Sequence, residues 1–246
     1  MTVSPAAAFA AARKDRDLAV LEGFHALKHA LRFGAAIELA VAADLDGLAG
    51  LARSLAPDMA EPMRRLVTPI GSDAMRGLAP ELHATGVLAI ARRPQADLAR
   101  LLQPSPQPVV LLERPTHLGN VGAVVRVAAA AGAAGVLTTG PLDPWHPAAL
   151  RGSAGLHFAL AVVRIDTLPD TARPLVAFSP DGSPSALAAI PAGSVLAFGT
   201  ERGGLEETLR RRAQLSVALR MRPGVSSLNL ATSVAIALYA NSNGSP

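Results

Sequence analysis

Three short loops hold the residues whose types and spacing could perform chemistry. The first, His117–Gly122, follows an apolar run, contains two glycines and an asparagine, and lies just ahead of Arg126. The second, Phe198–Gly204, also follows an apolar run and carries a glutamate between glycines. The third, Met221–Asn229, leads into an apolar segment. Glycine lets a backbone approach a ligand closely, and amides at a helix N-terminus attract anions, so these loops are candidates for a ligand site.

Each loop also has a purely structural interpretation, which the residues alone leave open. The first could be a tight strand–helix turn, and a dinucleotide site is disfavoured because the G-x-G-x-x-G fingerprint is reduced to Gly119-x-x-Gly122. In the second loop, Glu201 could simply interact favourably with a helix dipole. In the third, Ser227 could cap the following helix, which would put Asn229 in the first helical turn, where asparagine is not a preferred residue.

Composition and motifs exclude or disfavour several catalytic classes. Cysteine is absent, which removes disulfide frameworks, thiolate catalysis, zinc fingers and iron–sulfur clusters. The serine within Arg151–Gly155 is not part of a G-x-S-x-G nucleophile elbow, and no Walker A sequence occurs. Aromatic residues make up only 3% of the chain, which disfavours a single-strand-binding surface of stacked rings. We expect no metal site.

The elements that must position these loops alternate between apolar strands and helices, the pattern of an α/β fold with a mostly parallel sheet. A stretch rich in proline and glutamine divides the chain, so we predict an N-terminal domain over 1–93, a linker over 94–107 and a second domain over 108–246. The predicted elements of the first domain are strands at Leu18–Glu22, Ile37–Ala42, Arg65–Thr68 and Gly86–Ala91 and helices at Gly23–Phe33, Leu45–Leu55 and Asp73–Leu78. Those of the second are strands at Val109–Glu113, Gly135–Thr138, Phe158–Val163, Leu175–Phe178, Val195–Gly199 and Leu215–Leu219 and helices at Val121–Ala131 and Leu228–Tyr239.

Charge and hydropathy bear on the partners and the location of the protein. The net charge of +4 permits a nucleic-acid or phosphate partner without requiring one. The apolar stretch Ala6–Ala12 precedes its basic residues, whereas a secretory signal has them first. The most membrane-like window, Gly119–Gly140, carries Arg126 and several glycines, so burial in a core fits it better. We therefore predict a soluble cytoplasmic protein with no membrane segment.

The order and spacing of the three loops resemble the motifs of the SpoU/TrmH family of RNA ribose 2′-O-methyltransferases, within the knotted SPOUT class. The family's first motif, a strand followed by Asn-x-Gly and an arginine six residues after the asparagine, is similar to Leu111–Arg126. Its second motif, a strand followed by Gly-x-Glu-x-x-Gly, is similar to Phe198–Gly204. Its third motif has Ser-Leu-Asn before an alanine-rich helix and is similar to Met221–Ala237. The resemblance covers Val109–Tyr239 and includes Pro147–Phe158, which is similar to the family's connecting segment.

The remaining parts of the chain resemble the family less closely. The first domain is similar to the family's appended substrate-binding domain, a ribosomal-protein-like RNA-binding module, at Leu21–Ala26 and Thr85–Ala89. The chain departs from the family pattern at Arg114–Gly119, where Asp-Pro is common, and at Leu219–Met221, where Ile-Pro-Met is familiar.

The resemblance implies a deep trefoil knot in the second domain, which periodicity alone does not predict. It also implies a homodimer in which each active site borrows residues from the partner. S-adenosylmethionine is the implied methyl donor, held by the loops Leu196–Gly204 and Leu219–Leu230. The implied cofactor-binding residues are Leu196, Phe198, Gly199, Thr200, Gly203, Leu219, Met221, Ser227 and Leu228.

The resemblance further implies five catalytic residues. Arg126 would orient the ribose and clamp a phosphate, Asn120 would hold the ribose or Arg126, and Glu201 would anchor the local network. Ser227 and Asn229 would complete the pocket. The substrate would be RNA, with ribosomal RNA favoured over transfer RNA.

Two alternative functions stay open from the residues, a non-catalytic RNA-binding protein of the same fold and a nucleotide-dependent oxidoreductase. The role of five arginines is also left open by the sequence, because they could form an RNA-facing basic patch or an ordinary solvated face. They are Arg210, Arg211, Arg212, Arg220 and Arg222.

Overall fold

Helices and strands alternate along the computed structural model, which describes residues 4–79, 83–200 and 203–240. Up to the proline-rich stretch they are α1 (Pro5–Ala12), β1 (Leu18–Glu22), α2 (Phe24–Arg32), β2 (Ile37–Ala42), α3 (Leu45–Leu55), α4 (Ala60–Leu66), β3 (Thr68–Pro69), α5 (Ser72–Arg76) and β4 (Val87–Arg92). Beyond it they are α6 (Leu98–Leu101), β5 (Val109–Leu112), α7 (Leu118–Ala130), β6 (Gly135–Thr138), α8 (Pro147–Gly152), β7 (Ala161–Arg164), β8 (Leu175–Ser183), β9 (Val195–Phe198), α9 (Glu207–Arg212), β10 (Leu215–Val217) and α10 (Leu230–Ala240). None of these described helices combines the length and the apolar character that a membrane span requires.

The chain divides into two compact units, the first comprising Met1–Gln95 and Trp145–Ala159 and the second Ala96–Pro144 and Leu160–Pro246. The first unit contains a four-stranded sheet in the order β1-β4-β2-β3. Strand β4 runs antiparallel to both β1 and β2, whereas β2 and β3 are parallel. The core on this sheet is built from buried side chains that include Phe9, Val41, Met75 and Leu88.

The segment Trp145–Ala159 groups with the first unit, although the sequence places it in the predicted domain 108–246. Its Arg151 Nη2 lies 2.8 Å from Oε2 of Glu22, a carboxylate at the end of β1 whose side chain is only 5% exposed. Gly155, at φ +78°, lies so close to Ala26 that an added Cβ would come within 2.5 Å of the Ala26 carbonyl oxygen. A buried carboxylate needs a cationic partner, and only glycine permits this backbone approach. Neither requirement is readable from a local sequence pattern.

The second unit contains a six-stranded, fully parallel sheet in the order β10-β8-β9-β5-β6-β7. Strands β5 and β9 are buried along their whole length, as expected for strands covered on both faces. On one face, Leu111, Leu137 and Ala197 pack with Leu209 of α9 in a single apolar cluster. Helices α7 and α10 pack against each other, and they contact β6 and β9 respectively. The mostly parallel α/β architecture expected from the sequence is therefore confirmed for this unit.

Several predicted elements have the observed bounds, whereas β8 continues past the predicted Phe178 to Ser183 and β10 ends at Val217 instead of Leu219. Two further predictions are wrong. Arg65 does not begin a strand, because α4 continues to Leu66 and β3 starts only at Thr68. The signal for the helix was the spacing of Glu61, whose carboxylate pairs with Arg64 and Arg65 at i+3 and i+4. The predicted strand Phe158–Val163 starts late, at Ala161, because Leu156–Phe158 forms a 3₁₀ turn.

Candidate active site

A pocket of about 340 Å³ lies where the parallel pairing of β8 with β9 ends, at Phe178 and Phe198. These two residues are partners in the register, so their side chains lie on the same face of the sheet. Their rings stack with centroids 4.4 Å apart and an interplanar angle of 12°. The remaining lining residues come from the rest of β8, the loop after β9, the end of β10 with the loop that follows it, and the start of α10: Ser179, Pro180, Gly199, Thr200, Gly204, Val217, Leu219, Met221, Ser226, Ser227, Leu228, Leu230 and Ser233.

The loop after β9 is held by hydrogen bonds between Thr200 and Gly204 and requires glycine at position 199. Thr200 N donates to Gly204 O and Gly204 N donates to Thr200 O, both at 3.1 Å. Gly203 N also donates to Thr200 Oγ1, at 2.8 Å. A Cβ added to Gly199 would lie 2.0 Å from the Gly204 carbonyl carbon, so the two sides of the turn could not close around any larger residue. The glycine at position 199 therefore has a steric cause.

Most of the predicted cofactor-binding residues line the pocket, but two of them do not. The pocket is lined by Phe198, Gly199, Thr200, Leu219, Met221, Ser227 and Leu228. Leu196 is instead buried within β9, and Gly203 is exposed in the turn outside the lining. Glu201, a predicted catalytic residue, lies outside the described residues, as does Arg202.

Asn229, rather than Ser227, caps the last helix. The Asn229 Oδ1 accepts hydrogen bonds from Ala231 N at 2.9 Å and Thr232 N at 3.4 Å, so α10 begins at Leu230 instead of the predicted Leu228. The expectation that Asn229 lies inside the first helical turn is thus wrong. An asparagine at a cap satisfies free amides of the first turn, which explains its place in the sequence.

The same Asn229 side chain joins the third loop to the first. Its Nδ2 donates to the Asn120 Oδ1 at 3.1 Å, across 109 positions of sequence. Asn120 lies in the first turn of α7, because this helix begins at Leu118 rather than at the predicted Val121. Arg126 is on the same helix, about 9 Å further along its axis, and is exposed without contributing to the pocket lining.

Glu113, a buried carboxylate that the sequence analysis did not select as a site residue, connects the end of β5 to the chain on both sides of the second loop. Its backbone N donates to Phe198 O at 2.8 Å, and its Oε2 accepts from the backbone N of Glu206 at 2.7 Å. These bonds hold the end of β5 to the two ends of the glycine turn that follows β9. The available signal was an acidic residue that ends an apolar run. Phe178, by contrast, had no signal, since its role depends on the pairing of β8 with β9.

The pocket is electrically neutral over the part of the chain that the structure describes, because none of the lining residues there is ionisable. Its polar groups are backbone atoms and serine and threonine hydroxyls. Such a lining can hold a planar, uncharged ring system by apolar contact and by hydrogen bonds to the backbone. The described lining residues supply no carboxylate or imidazole that could act as a general base.

Two histidines outside this pocket have a spacing that could bind a metal ion. His25 and His29 are one helical turn apart on α2, a spacing that two zinc ligands can use. His29 Nδ1, however, lies 2.7 Å from the Ala154 carbonyl oxygen, and burial lowers the pKa of this imidazole. In the ranges 4–79, 83–200 and 203–240, no cluster of three or more potential ligands is placed to hold a metal ion.

Comparison with known proteins places this geometry in a family. The SpoU rRNA Methylase family matches residues 107–239, more than half of the chain. The chain is 29% identical over 167 residues to the 23S rRNA (uridine(2479)-2′-O)-methyltransferase of Streptomyces viridochromogenes, covering 62% of this chain and 58% of that protein. It is 34% identical over 163 residues to the 23S rRNA (adenosine(1067)-2′-O)-methyltransferase of Streptomyces laurentii, covering 62% and 60%. The alignments thus span less than two thirds of these relatives.

Solved structures share the fold over nearly the whole chain. The SpoU methyltransferase AviRb from Streptomyces viridochromogenes, in complex with the cofactor AdoMet, has a TM-score of 0.78 at 23% identity and covers 97% of both chains. An RNA 2′-O ribose methyltransferase has a TM-score of 0.71 at 28% identity and covers 93% of this chain and 89% of its own. With the family match spanning all three loops and the resemblance of their motifs confirmed, the chain belongs to the SpoU rRNA methylase family.

Proposed function

We propose that the protein transfers a methyl group from S-adenosylmethionine to a ribose 2′-hydroxyl of RNA, with ribosomal RNA as the substrate. The observation that carries this proposal, in a SpoU family member, is that the second and third motif loops line one pocket and that the hydrogen bond between Asn229 and Asn120 joins the third motif to the first. The activities named for the two Streptomyces relatives support the choice of a ribose in 23S rRNA. Family membership argues against the oxidoreductase alternative.

The pocket suits the nucleoside part of S-adenosylmethionine. Its stacked Phe178 and Phe198 rings offer apolar contact to a planar base, and the Gly199 turn leaves backbone atoms accessible where a side chain would block them. When bound, S-adenosylmethionine supplies a methyl group that its sulfonium has already activated. The chain itself then has to position the ribose and to assist removal of the hydroxyl proton.

The residues around the pocket divide these tasks. Asn120 is held in place by Asn229 and would orient the ribose or Arg126. Arg126, exposed on α7, would clamp a phosphate of the RNA, since a guanidinium group is a strong hydrogen-bond donor and a poor base. Because no ionisable group lines the described pocket, proton removal would be assisted from outside it, with an RNA phosphate nearby. Glu201 would anchor the network from its place in the second motif.

The wider organisation follows from the same proposal. A homodimer is supported by apolar side chains left exposed on and before α10, namely Val225, Leu228, Ile236 and Tyr239. The trefoil knot is the family's expected topology for the second unit. The first unit would bind structured RNA, and the protein would act in the cytoplasm.

The test is transfer of labelled methyl from S-adenosylmethionine into unmodified ribosomal and transfer RNA, offered separately and then digested with alkali. We expect label from ribosomal RNA in alkali-resistant dinucleotides, because a 2′-O-methyl group blocks cleavage at the adjacent phosphate. Label in mononucleotides would mean base methylation and would overturn the ribose assignment. Label only in transfer RNA would overturn the substrate assignment.

A substitution of Arg126 tests the proposed role of this residue. Arg126→Ala should abolish methyl transfer and leave S-adenosylmethionine binding, measured by calorimetry, within about twofold, because the side chain does not line the pocket. Arg211→Ala, which removes another exposed arginine, is the matched control and should keep full activity. Equal loss of binding and transfer in the Arg126 variant would refute the phosphate-clamp assignment.

A further inference from the structure

The C-terminal part of the chain has an unbalanced charge. No aspartate or glutamate follows Glu207, whereas Arg210, Arg211, Arg212, Arg220 and Arg222 all do. Three of these arginines lie in α9 and two in the loop after β10. The two groups differ in what their guanidinium groups contact.

The arginines of α9 are engaged within the second unit. Arg211 Nε lies 2.9 Å from the Glu207 carboxylate, and Arg210 Nη2 lies 3.4 Å from the Asp181 carboxylate. Arg212 donates to the carbonyl oxygens of Leu168 and Pro169, at 2.7 and 2.9 Å. A phosphate would have to compete with these existing partners.

The arginines of the loop are not engaged in this way. Arg220 and Arg222 are both exposed, and neither forms an ion pair with a carboxylate in the described part of the chain. They alternate with Leu219 and Met221, whose side chains line the pocket. The loop therefore presents apolar side chains to the pocket and two guanidinium groups to solvent.

The loop is also tied to the residues that would meet RNA. It ends at Asn229, whose Nδ2 hydrogen-bonds the Asn120 Oδ1 on the helix that carries Arg126. A strand of RNA whose ribose reached the pocket would pass this loop, and its phosphates would meet no nearby acidic group of the loop itself. Guanidinium groups bind phosphate through paired hydrogen bonds as well as charge.

We propose that Arg220 and Arg222 bind the phosphodiester backbone of the RNA beside the methylated nucleotide, whereas the adjacent run Arg210–Arg212 does not. This assignment rests on the proposed function. Of the five arginines that the sequence groups together, two would bind phosphate and three would have a structural role. The proposed contacts are electrostatic and independent of base sequence.

The salt dependence of RNA binding tests the division. An unmodified 23S rRNA transcript is titrated with the full-length protein by filter binding over a series of salt concentrations. Arg220→Ala and Arg222→Ala should each reduce the slope of log K against log salt by about 0.7 to 0.9, the value for one lost phosphate contact. Arg211→Ala should leave the slope unchanged, and Arg220→Lys and Arg222→Lys should restore most of it. Unchanged melting temperatures would establish that all variants are folded.

The outcomes separate this inference from the proposed function. A slope that falls equally in Arg211→Ala and Arg222→Ala would overturn the division. Unchanged RNA binding with weaker S-adenosylmethionine binding in the loop variants would assign these arginines to the cofactor and overturn the proposal. A wild-type protein that binds S-adenosylmethionine but neither binds nor methylates RNA would overturn the proposed function first. A wild-type protein that methylates RNA while the double alanine variant keeps its salt slope would overturn this inference alone.

Discussion

The Asn229 side chain both caps α10 and hydrogen-bonds Asn120, and two substitutions separate these interactions. Its Oδ1 caps α10, and its Nδ2 donates to Asn120. Asn229→Ala removes both interactions. Asn229→Ser keeps an oxygen that can accept from the free amides of the first turn but has no group that reaches Asn120 in the same way. The pair of variants therefore distinguishes a helix cap from a link between motifs.

The magnitudes follow from the two contacts. Loss of the cap costs about 1 kcal/mol, and loss of a neutral side-chain hydrogen bond costs about 1 kcal/mol. Asn229→Ala should therefore destabilise α10 by about 2 kcal/mol and Asn229→Ser by about 1 kcal/mol. A double-mutant cycle that combines Asn120→Ala with Asn229→Ala should give a coupling energy of about 0.5 to 1.5 kcal/mol. When Asn120→Ala is instead made in the Asn229→Ser background, the two side chains should show almost no remaining coupling.

Native-state hydrogen exchange is the suitable assay, because a chain of two units does not guarantee a single unfolding transition. The Ala231 amide, which Asn229 caps, should lose protection in the alanine variant and keep most of it in the serine variant. Methyl transfer should fall in both, since both release Asn120. Tryptophan fluorescence is unsuitable here, because Trp145 lies in the first unit.

Two results would refute this reasoning. If the serine variant loses as much protection at Ala231 as the alanine variant, the Asn229 side chain does not act as a cap. If the cycle between Asn120 and Asn229 shows no coupling, their hydrogen bond contributes nothing and the convergence of the first and third motifs has another cause. A matched substitution on the exposed side of α10, Thr232→Ala, controls for general effects on the helix.

Three further outcomes are expected. Gly199→Ala should weaken S-adenosylmethionine binding at least tenfold by calorimetry, because its Cβ would lie 2.0 Å from the Gly204 carbonyl carbon, whereas Gly50→Ala, with no atom within 4 Å, should not. Arg173→Met should lower the free energy of unfolding of the second unit, measured by native-state hydrogen exchange, by about 3 kcal/mol or more, because four buried or partly buried carbonyls lose the guanidinium they bind; an unchanged value would contradict this. Burial holds the pKa of His29 below its ordinary 6.5, so its contribution to stability is full above that pH and declines as the pH falls through the lower folded-state pKa. In His29→Gln that decline should disappear when unfolding of the first unit is followed by fluorescence.

The strands and the three loops could be located from the sequence. The run Val109–Glu113 and the run Val195–Gly199 were placed to within one residue of β5 and β9, because strands buried on both faces leave uninterrupted apolar stretches. The glycines of the second loop indicated a tight approach of the backbone, which Gly199 makes, whereas the Asn-x-Gly of the first lies within the first turns of α7. Their order along the chain was enough to indicate the family, since motif order is a one-dimensional property.

The tertiary structure decided which residues contact each other across long separations in the sequence. Phe178 joined the site only through its register with Phe198, and Asn229 acquired its second role only because α7 packs against α10. The five arginines looked alike in the sequence until their carboxylate and carbonyl partners separated them. Local composition determines which residues can be buried or can turn the chain, but the neighbours that satisfy each polar group are chosen by packing between distant segments.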